Sequence, residues 1–375
     1  MERFVNLADG VGGAVSLDDP FLRYATNPIL TAADVNDVWR DPALQVVTVH
    51  NTGVGSVEGQ TVLLFRSHLR SGLSVLGTAR SADGVTGWRV DPSPALLPAT
   101  PADRFADGVA VDEAVEMETG GVEDPRVHVI DGTFAVTYSA YHARERNRVR
   151  VALATSGDLR RFVRHGPLLA RDMRNVVLFP DRIDGRYLGL FRPNDVLQGD
   201  VGGAYTRIHV GTAADFRTGP WEIDPDPVMC TGHGPSAFSD KIGPGAPPIR
   251  TRHGWLNLFH GVRTTMDGNP YVLGAALHDL DDPRRVRMSS IPVVFPTKAD
   301  CRVADDAYVH VPNVVFTCGA TRRDDGTIVV YYAGNDTVLN VGASHEDVLA
   351  ELCIRYGQDP RTGSLLYPLS TPASR

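Results

Sequence analysis

The hydrophobic positions of this chain fall in short β-branched and aromatic runs cut by glycine turns, and one type of run recurs. It reads Val62-Leu63-Leu64-Phe65-Arg66, then Phe134-Ala135-Val136-Thr137-Tyr138-Ser139, then Tyr187-Leu188-Gly189-Leu190-Phe191-Arg192. Trp255-Leu256-Asn257-Leu258-Phe259-His260 and Ile328-Val329-Val330-Tyr331-Tyr332-Ala333 follow. Glycine precedes the runs at Gly59, Gly132, Gly185, Gly254 and Gly326, as tight hairpins require. After each run comes a small-residue strand centred on Ala79, Ala154, Thr212, Ala276 or Ala343, at spacings of 75, 58, 64 and 67. A fourth element opens with proline, at Pro94, Pro167, Pro227 and Pro292, which suits an edge strand. Its fifth copy is missing, and Pro28-Ile29-Leu30 stands near the N-terminus instead.

A repeat of four strands with one displaced terminal strand predicts an all-β, five-bladed β-propeller whose N-terminal strand completes the last blade. The whole chain, 1–375, reads as one catalytic domain with a C-terminal helix and tail over about 344–375. Helical periodicity is otherwise scarce; in 344–353, Ser344 is the expected cap, and Val348, Leu349 and Leu352 share a face.

Composition narrows the partners. With a net charge of −8 the chain has no general basic field for nucleic acid or an anionic membrane, so any bound anion needs a local cluster of cations. No apolar run reaches the roughly 18 residues of a membrane span. Met1-Glu2-Arg3-Phe4-Val5-Asn6 leads into no signal-like stretch, and the four scattered cysteines (Cys230, Cys301, Cys318, Cys353) form no CxxC pair. The expectation is a cytoplasmic protein with reduced thiols and no metal site.

The chemistry concentrates where the repeat aligns polar residues. The residue after the second-strand aromatic reads Arg66, Ser139, Arg192, His260 and Ala333 from unit to unit. The preceding inner strands carry Val49-His50-Asn51-Thr52, Glu123-Asp124-Pro125-Arg126, Val177-Leu178-Phe179-Pro180, Ala246-Pro247-Pro248-Ile249 and Pro312-Asn313-Val314-Val315, which sets Asn51 and Asp124 in comparable places. Gly120 and Gly121 allow a tight turn before Asp124, and Pro125 is expected to hold Asp124 extended. Strand alternation is expected to turn Glu123 to the other side. Arg174 and Lys241 stand near enough in the pattern to join Arg66, Arg192 and His260. Guanidinium forks match tetrahedral oxyanions, and a carboxylic acid beside a sugar-sized cavity suits glycosidic cleavage. No dinucleotide fingerprint, P-loop, G-x-S-x-G elbow or HExxH is present.

An ordered set of motifs resembles glycoside hydrolase family 130, the β-mannoside phosphorylases. The set is Asn27-Pro28-Ile29-Leu30, Gly121-Val122-Glu123-Asp124-Pro125-Arg126, Leu178-Phe179-Pro180, Phe191-Arg192-Pro193, Gly254-Trp255, Phe259-His260-Gly261, Tyr331-Tyr332 and Asp336-Thr337. The resemblance implies a five-bladed propeller and a single catalytic acid at Asp124. It places Asn51, Thr52, Arg66, Lys241 and Asp336 on the mannosyl unit, and Arg174, Arg192, His260 and Tyr271 on phosphate. Hydrolytic members lack much of that basic set. The implied reaction is therefore inverting phosphorolysis of a β-mannoside to α-mannose 1-phosphate, with inorganic phosphate as co-substrate and neither cofactor nor metal. Phosphate is its own nucleophile, so no second carboxylate base is required.

A β-mannosidase using water, with Asp336 as base, is the alternative on the same scaffold. A non-catalytic carbohydrate-binding propeller would need aromatic platforms, and Trp88, Trp221 and Trp255 read as packing residues. No motif fixes the linkage or acceptor, although Arg70-Ser71-Gly72-Leu73-Ser74 and Asp83-Gly84-Val85-Thr86-Gly87-Trp88 resemble members acting on β-1,2-linked mannosides. The acidic loop 99–119 is a candidate wall of the acceptor subsite, and homo-oligomers, common in the family, are compatible with the sequence.

Overall fold

The recurrent runs form strands Gln60–His68, Thr133–Tyr141, Tyr187–Pro193, Gly254–Val262 and Thr327–Gly334 of a computed structural model. The structure describes residues 1–145, 148–194, 206–232, 236–263, 265–266 and 268–368. Each run pairs antiparallel with the small-residue strand after it: Ser74–Ser81, Val149–Ser156, Arg207–Ala213, Tyr271–His278 and Val338–His345. Each also pairs antiparallel with strand sequence before it: His50–Val57, Gly121–Ile130, Met173–Leu178, Lys241–Pro244 with Ile249–Thr251, and Val315–Arg322. We number these sets as units one to five.

The pairing explains why aromatic runs precede small residues. Phe65 lies opposite Gly77 and Phe259 opposite Gly274, and a Cβ on either glycine would come within 2.5 Å of the facing ring. Gly211 lies opposite Gly189, and a Cβ on it would come 2.6 Å from the Phe191 ring two residues along that strand. The ring folds over the bare backbone of its partner strand, so glycine there is a packing requirement.

The fourth elements are short. Leu96 bridges Leu76, Val294 bridges Leu273, Phe162–Pro167 pairs in unit two, and Met229–Cys230 pairs in unit three. In unit five the N-terminal segment supplies this position, but with a shifted register. Leu22–Arg23 pairs with Val338–His345, whereas Pro28-Ile29-Leu30 contributes a single bridge, Leu30 to Leu339. Between them the Asn27 side chain takes over the ladder, donating to the Val341 carbonyl and accepting from its N–H, each at 2.9 Å.

Units one and two share one eight-stranded sheet through a parallel bridge from Ser74 to Gly121; five-, six- and four-stranded sheets hold the others. Gly121, at φ 129°, permits that bridge, because a Cβ there would sit 2.8 Å from Ser74. Five core clusters lie between neighbours. Leu64 and Leu76 pack on Val122 and Tyr138, Ala135 and Leu153 on Tyr187 and Phe191, and Leu188 and Leu190 on Trp255 and Phe259. Leu256 and Leu258 pack on Val330 and Tyr332, and Leu63 and Phe65 on Val329 and Tyr331.

The C-terminal helix is Glu346–Arg355, with Val348, Leu349 and Leu352 buried as expected. Its cap is His345, not Ser344: the His345 ring accepts from the Asp347 N–H at 3.1 Å, while Ser344 belongs to the preceding strand. Residues 369–375 of the expected tail lie outside the described residues. Loop 99–119 contains the helix Val111–Met117 and is tied down by Glu118, which is buried against Arg164 and Tyr138. No described helix is long and apolar enough to cross a membrane.

Candidate functional site

The site grows from a defect repeated in three inner strands. The residues after the second-strand aromatics pair in register with the inner strands, Arg66 with His50, Ser139 with Glu123, Arg192 with Arg174, His260 with Gly243 and Ala333 with Phe316. Just past that row the ladders of units one, two and three bulge. The bulge opens at Asn51, Asp124 and Asn175, with φ of 45°, 51° and 55°. Asn and Asp are the side chains that tolerate this left-handed region, so the same backbone event turns an equivalent polar group inward three times.

Two expectations are corrected here. Asp124 is not extended, because its carbonyl accepts from Arg126 Nη1 at 2.8 Å and its carboxylate is fixed by Asn51 and Arg66. These tertiary bonds override the preference imposed by Pro125, at a local strain of about 1–3 kcal/mol. The counterpart of Asp124 in unit three is Asn175, not a residue in 177–180.

One half of the site is carboxylate-rich and internally paired. Asp124 Oδ1 accepts from Asn51 Nδ2 at 2.8 Å and from Arg66 Nη1 at 2.9 Å. Arg66 Nη2 donates to Glu123 Oε1 at 2.7 Å, and the Ser74 hydroxyl donates to the same oxygen at 2.8 Å. The bulge breaks strand alternation, so Glu123 shares a guanidinium with Asp124 instead of facing away. Burial works against the Asp124 charge, but Arg66 and Arg126 hold its carboxyl below the usual range. Burial likewise opposes the Arg66 charge, and Glu123, Asp124 and Asp336 more than restore it.

His68 Nε2 lies 2.8 Å from Arg66 Nη2. A guanidinium can only donate, so His68 is neutral at that nitrogen; burial first and Arg66 next push its pKa down to about 3. Asp336 completes this half. Burial pushes its carboxyl up to about 7, with Arg66 opposing the rise and Asp124 and Glu123 adding to it.

The other half is cationic and, among the described residues, forms no ion pair. Arg192 and His260 are buried beside Arg174, Lys241 and Tyr271, and among the described residues no ion pair involves Arg174, Arg192 or Lys241. Burial, then Arg174, lower Arg192 to about 10. Burial, Arg192 and Lys241 keep His260 neutral, far below its ordinary value. Lys241 Nζ donates to the Tyr271 hydroxyl at 3.1 Å, and the His260 and Tyr271 rings stack at 6.3 Å. Arg192 Nε and His260 Nδ1 are buried without a hydrogen-bond partner among the described residues. Gly243 makes room for His260, since a Cβ there would lie 2.4 Å from the imidazole.

Arg126 joins the halves. It donates to the Asp124 carbonyl, to Asn175 Oδ1 at 2.8 Å and to the Gly245 carbonyl at 2.8 Å. Between the halves lies a cleft of about 160 Å³, lined by Asn51, Arg66, Asp124, Arg174, Arg192, Lys241, His260, Tyr271 and Asp336. The structure thus gathers every candidate except Thr52, whose buried hydroxyl donates to the Gly53 carbonyl at 2.8 Å. Sequence reasoning missed Asn175, Val311, Val314 and Phe316 in the lining. The Asn175 position is legible in hindsight, because an Asn or Asp follows the row residue in each of the first three inner strands. Arg192 Nη1 donates to Asn194 Oδ1, yet the lining still fits an oxyanion: guanidinium and ammonium groups without an ion pair among the described residues, beside the orphaned Arg192 Nε and His260 Nδ1.

The glycoside hydrolase family 130 model, described as β-1,4-mannooligosaccharide phosphorylase, matches residues 23–355. A 1,2-β-oligomannan phosphorylase of Thermoanaerobacter sp. (strain X514) is 30% identical over 328 residues, covering 85% of this chain and 95% of that protein. A 4-O-β-D-mannosyl-D-glucose phosphorylase of Bacteroides fragilis is 28% identical over 351 residues, covering 91% and 84%. Among solved structures, the β-1,2-mannobiose phosphorylase of Listeria innocua in complex with β-1,2-mannobiose superposes with a TM-score of 0.71 at 25% identity, covering 89% of this chain and 99% of that one.

Proposed function

The chain is an enzyme of glycoside hydrolase family 130, and on that premise we propose that it catalyses inverting phosphorolysis of a β-mannoside, releasing α-mannose 1-phosphate. The observation that carries this reading is the unpaired basic cluster, Arg174, Arg192, Lys241, His260 and Tyr271, facing a carboxylate already paired within the protein. Water needs no such cluster; a phosphate anion does.

Phosphate held by Arg174, Arg192, His260 and Tyr271 attacks the anomeric carbon from the face opposite the leaving sugar. The bond from that carbon to the glycosidic oxygen breaks, and the oxygen takes a proton originating on Asp124, directly or through a sugar hydroxyl. Asn51, Arg66, Lys241 and Asp336 hold the mannosyl unit. Free Asp124 is biased toward the carboxylate by Arg66 and Arg126, so it must gain its proton in the loaded site. Phosphate supplies the reason: it spends the positive field of Arg126 and its neighbours and adds negative charge, which raises the proton affinity of Asp124.

Hydrolysis is the second reading, and Asp336 favours it. A carboxyl held near 7 at a cleft is suited to act as a base toward water. Substrate consumption with and without added phosphate separates the two. Phosphate-dependent release of α-mannose 1-phosphate is expected, and equal turnover without phosphate overturns phosphorolysis.

For the scaffold we propose a single domain, the five-bladed propeller, supported by cores between successive units and between units five and one. The cytoplasm is the proposed compartment, in keeping with four free cysteines.

A further inference from the structure

We propose that Tyr308 and His310 form the wall of the subsite that receives the leaving sugar, a pyranose whose hydroxyl becomes free when the mannosyl group transfers. This rests on the proposed reaction. In an in-line displacement the nucleophile and the leaving group stand on opposite faces of the mannosyl ring. Phosphate on the basic half therefore directs the leaving sugar toward the half built on Arg66 and Asp124.

Tyr308 and His310 occupy the lip of that half. Val311, the residue after His310, and Val314 three further on line the cleft. The His310 ring lies 4.7 Å from His68 and 6.2 Å from His50, His68 contacts Arg66, and Arg66 holds Asp124. A short series of contacts thus leads from this lip to the proposed acid.

The pair has the chemistry of a sugar platform. Tyr308 is 54% exposed, and its hydroxyl lies 2.6 Å from His310 Nδ1. With that hydroxyl donating to Nδ1, Nε2–H remains free to donate to a sugar hydroxyl. An aromatic face beside placed polar groups is the usual composition of a small-ligand site. The segment is also fixed. The His310 N–H donates to the Thr337 hydroxyl at 2.9 Å and the Val311 N–H to the Asn335 carbonyl at 3.0 Å, on either side of Asp336 in sequence. Neither side chain belongs to a core cluster, so packing does not account for the exposed tyrosine.

The test uses the full chain with Tyr308→Ala and His310→Ala, run in the synthetic direction with α-mannose 1-phosphate as donor and mannose as acceptor. The expected result is an acceptor KM raised about tenfold or more, a donor KM within about twofold of wild type, and an unchanged melting temperature. An unchanged acceptor KM overturns the proposal. A second measurement does not depend on turnover: calorimetric binding of β-1,2-mannobiose and of mannose to Asp124→Asn, with and without Tyr308→Ala. The disaccharide's advantage over mannose is expected to vanish with the tyrosine. Equal disaccharide affinity in both overturns the subsite, and no advantage for β-1,2-mannobiose or, measured alongside it, β-1,4-mannobiose even with Tyr308 present overturns subsite and substrate class together. A wild-type enzyme that cleaves the disaccharide without phosphate overturns phosphorolysis alone, because hydrolysis also expels a leaving sugar.

Discussion

The two halves of the cleft solve the burial of charge in opposite ways. Around Asp124, Arg66 bridges two carboxylates, Asn51 and Ser74 donate to them and His68 accepts from Arg66, so the charges are paired within the protein, although Arg66 Nε and Asn51 Oδ1 stay buried without a partner among the described residues. Around Arg192 no ion pair forms among the described residues, and burial first and the neighbouring Arg174 next lower an arginine to about 10, with Asp172 only partly opposing the fall. Buried, unpaired charge is expensive, so the second half is held in an unfavourable state that an arriving anion relieves. The first half is built to be rigid and the second to be filled.

That contrast breaks most sharply at Asp124. Asp124→Asn is expected to lower kcat by about 10³-fold or more, in the range for loss of a general acid. Sugar binding persists, because the amide still accepts from Asn51 and Arg66. Activity and disaccharide binding measured side by side decide this, and retained turnover removes Asp124 from the mechanism.

The halves separate next by stability. Arg66→Met strands Glu123 and Asp124 together and is expected to cost about 3–5 kcal/mol in denaturant unfolding. Arg192→Met removes a cation with no ion-pair partner among the described residues, so it melts no lower than wild type while the KM for phosphate rises about 30-fold or more. Equal destabilisation by both substitutions would erase the distinction between a paired and an unpaired half. Ligand alone sharpens it further. Phosphate at about 100 times its Kd adds about 2.7 kcal/mol to wild-type stability, and Arg192→Met loses most of that gain.

Much of this layout was legible in the sequence because the repeat carries register. Matching the residue after each aromatic run placed Arg66, Arg192 and His260 in one row, and the paired strands hold them in that row. What escaped is what register alone does not encode. The bulges at Asn51, Asp124 and Asn175 insert residues whose conformation depends on tertiary partners such as Arg126, so plain strand alternation puts Glu123 on the wrong side. Thr52 matched a motif but spends its hydroxyl on its own neighbour's carbonyl. The N-terminal strand slipped because an asparagine side chain, invisible to strand periodicity, does the pairing of a backbone.

Asp336 gives the smallest and most discriminating test, since it belongs to the paired half but lacks a full partner. Its carboxyl sits at about 7 in the folded chain against an ordinary 3.8. Below 3.8 it is protonated in both states, and the favourable contribution of the neutral acid is fully present. As pH rises toward 7 the unfolded chain ionises while the folded chain keeps its proton, so that stability drains away across this window. Above 7 both states are ionised and the loss levels off. Asp336→Asn stays neutral throughout, so its advantage over wild type is expected to grow from pH 4 to pH 7 and then hold. Because Asp336 borders an open cleft where water screens it, the plateau is expected at about 1–2 kcal/mol. Thermal melts of both proteins from pH 4 to pH 8 measure it. A difference that is flat with pH would mean that Asp336 already has a partner in the folded protein, and the paired half would then need no ligand at any of its carboxylates.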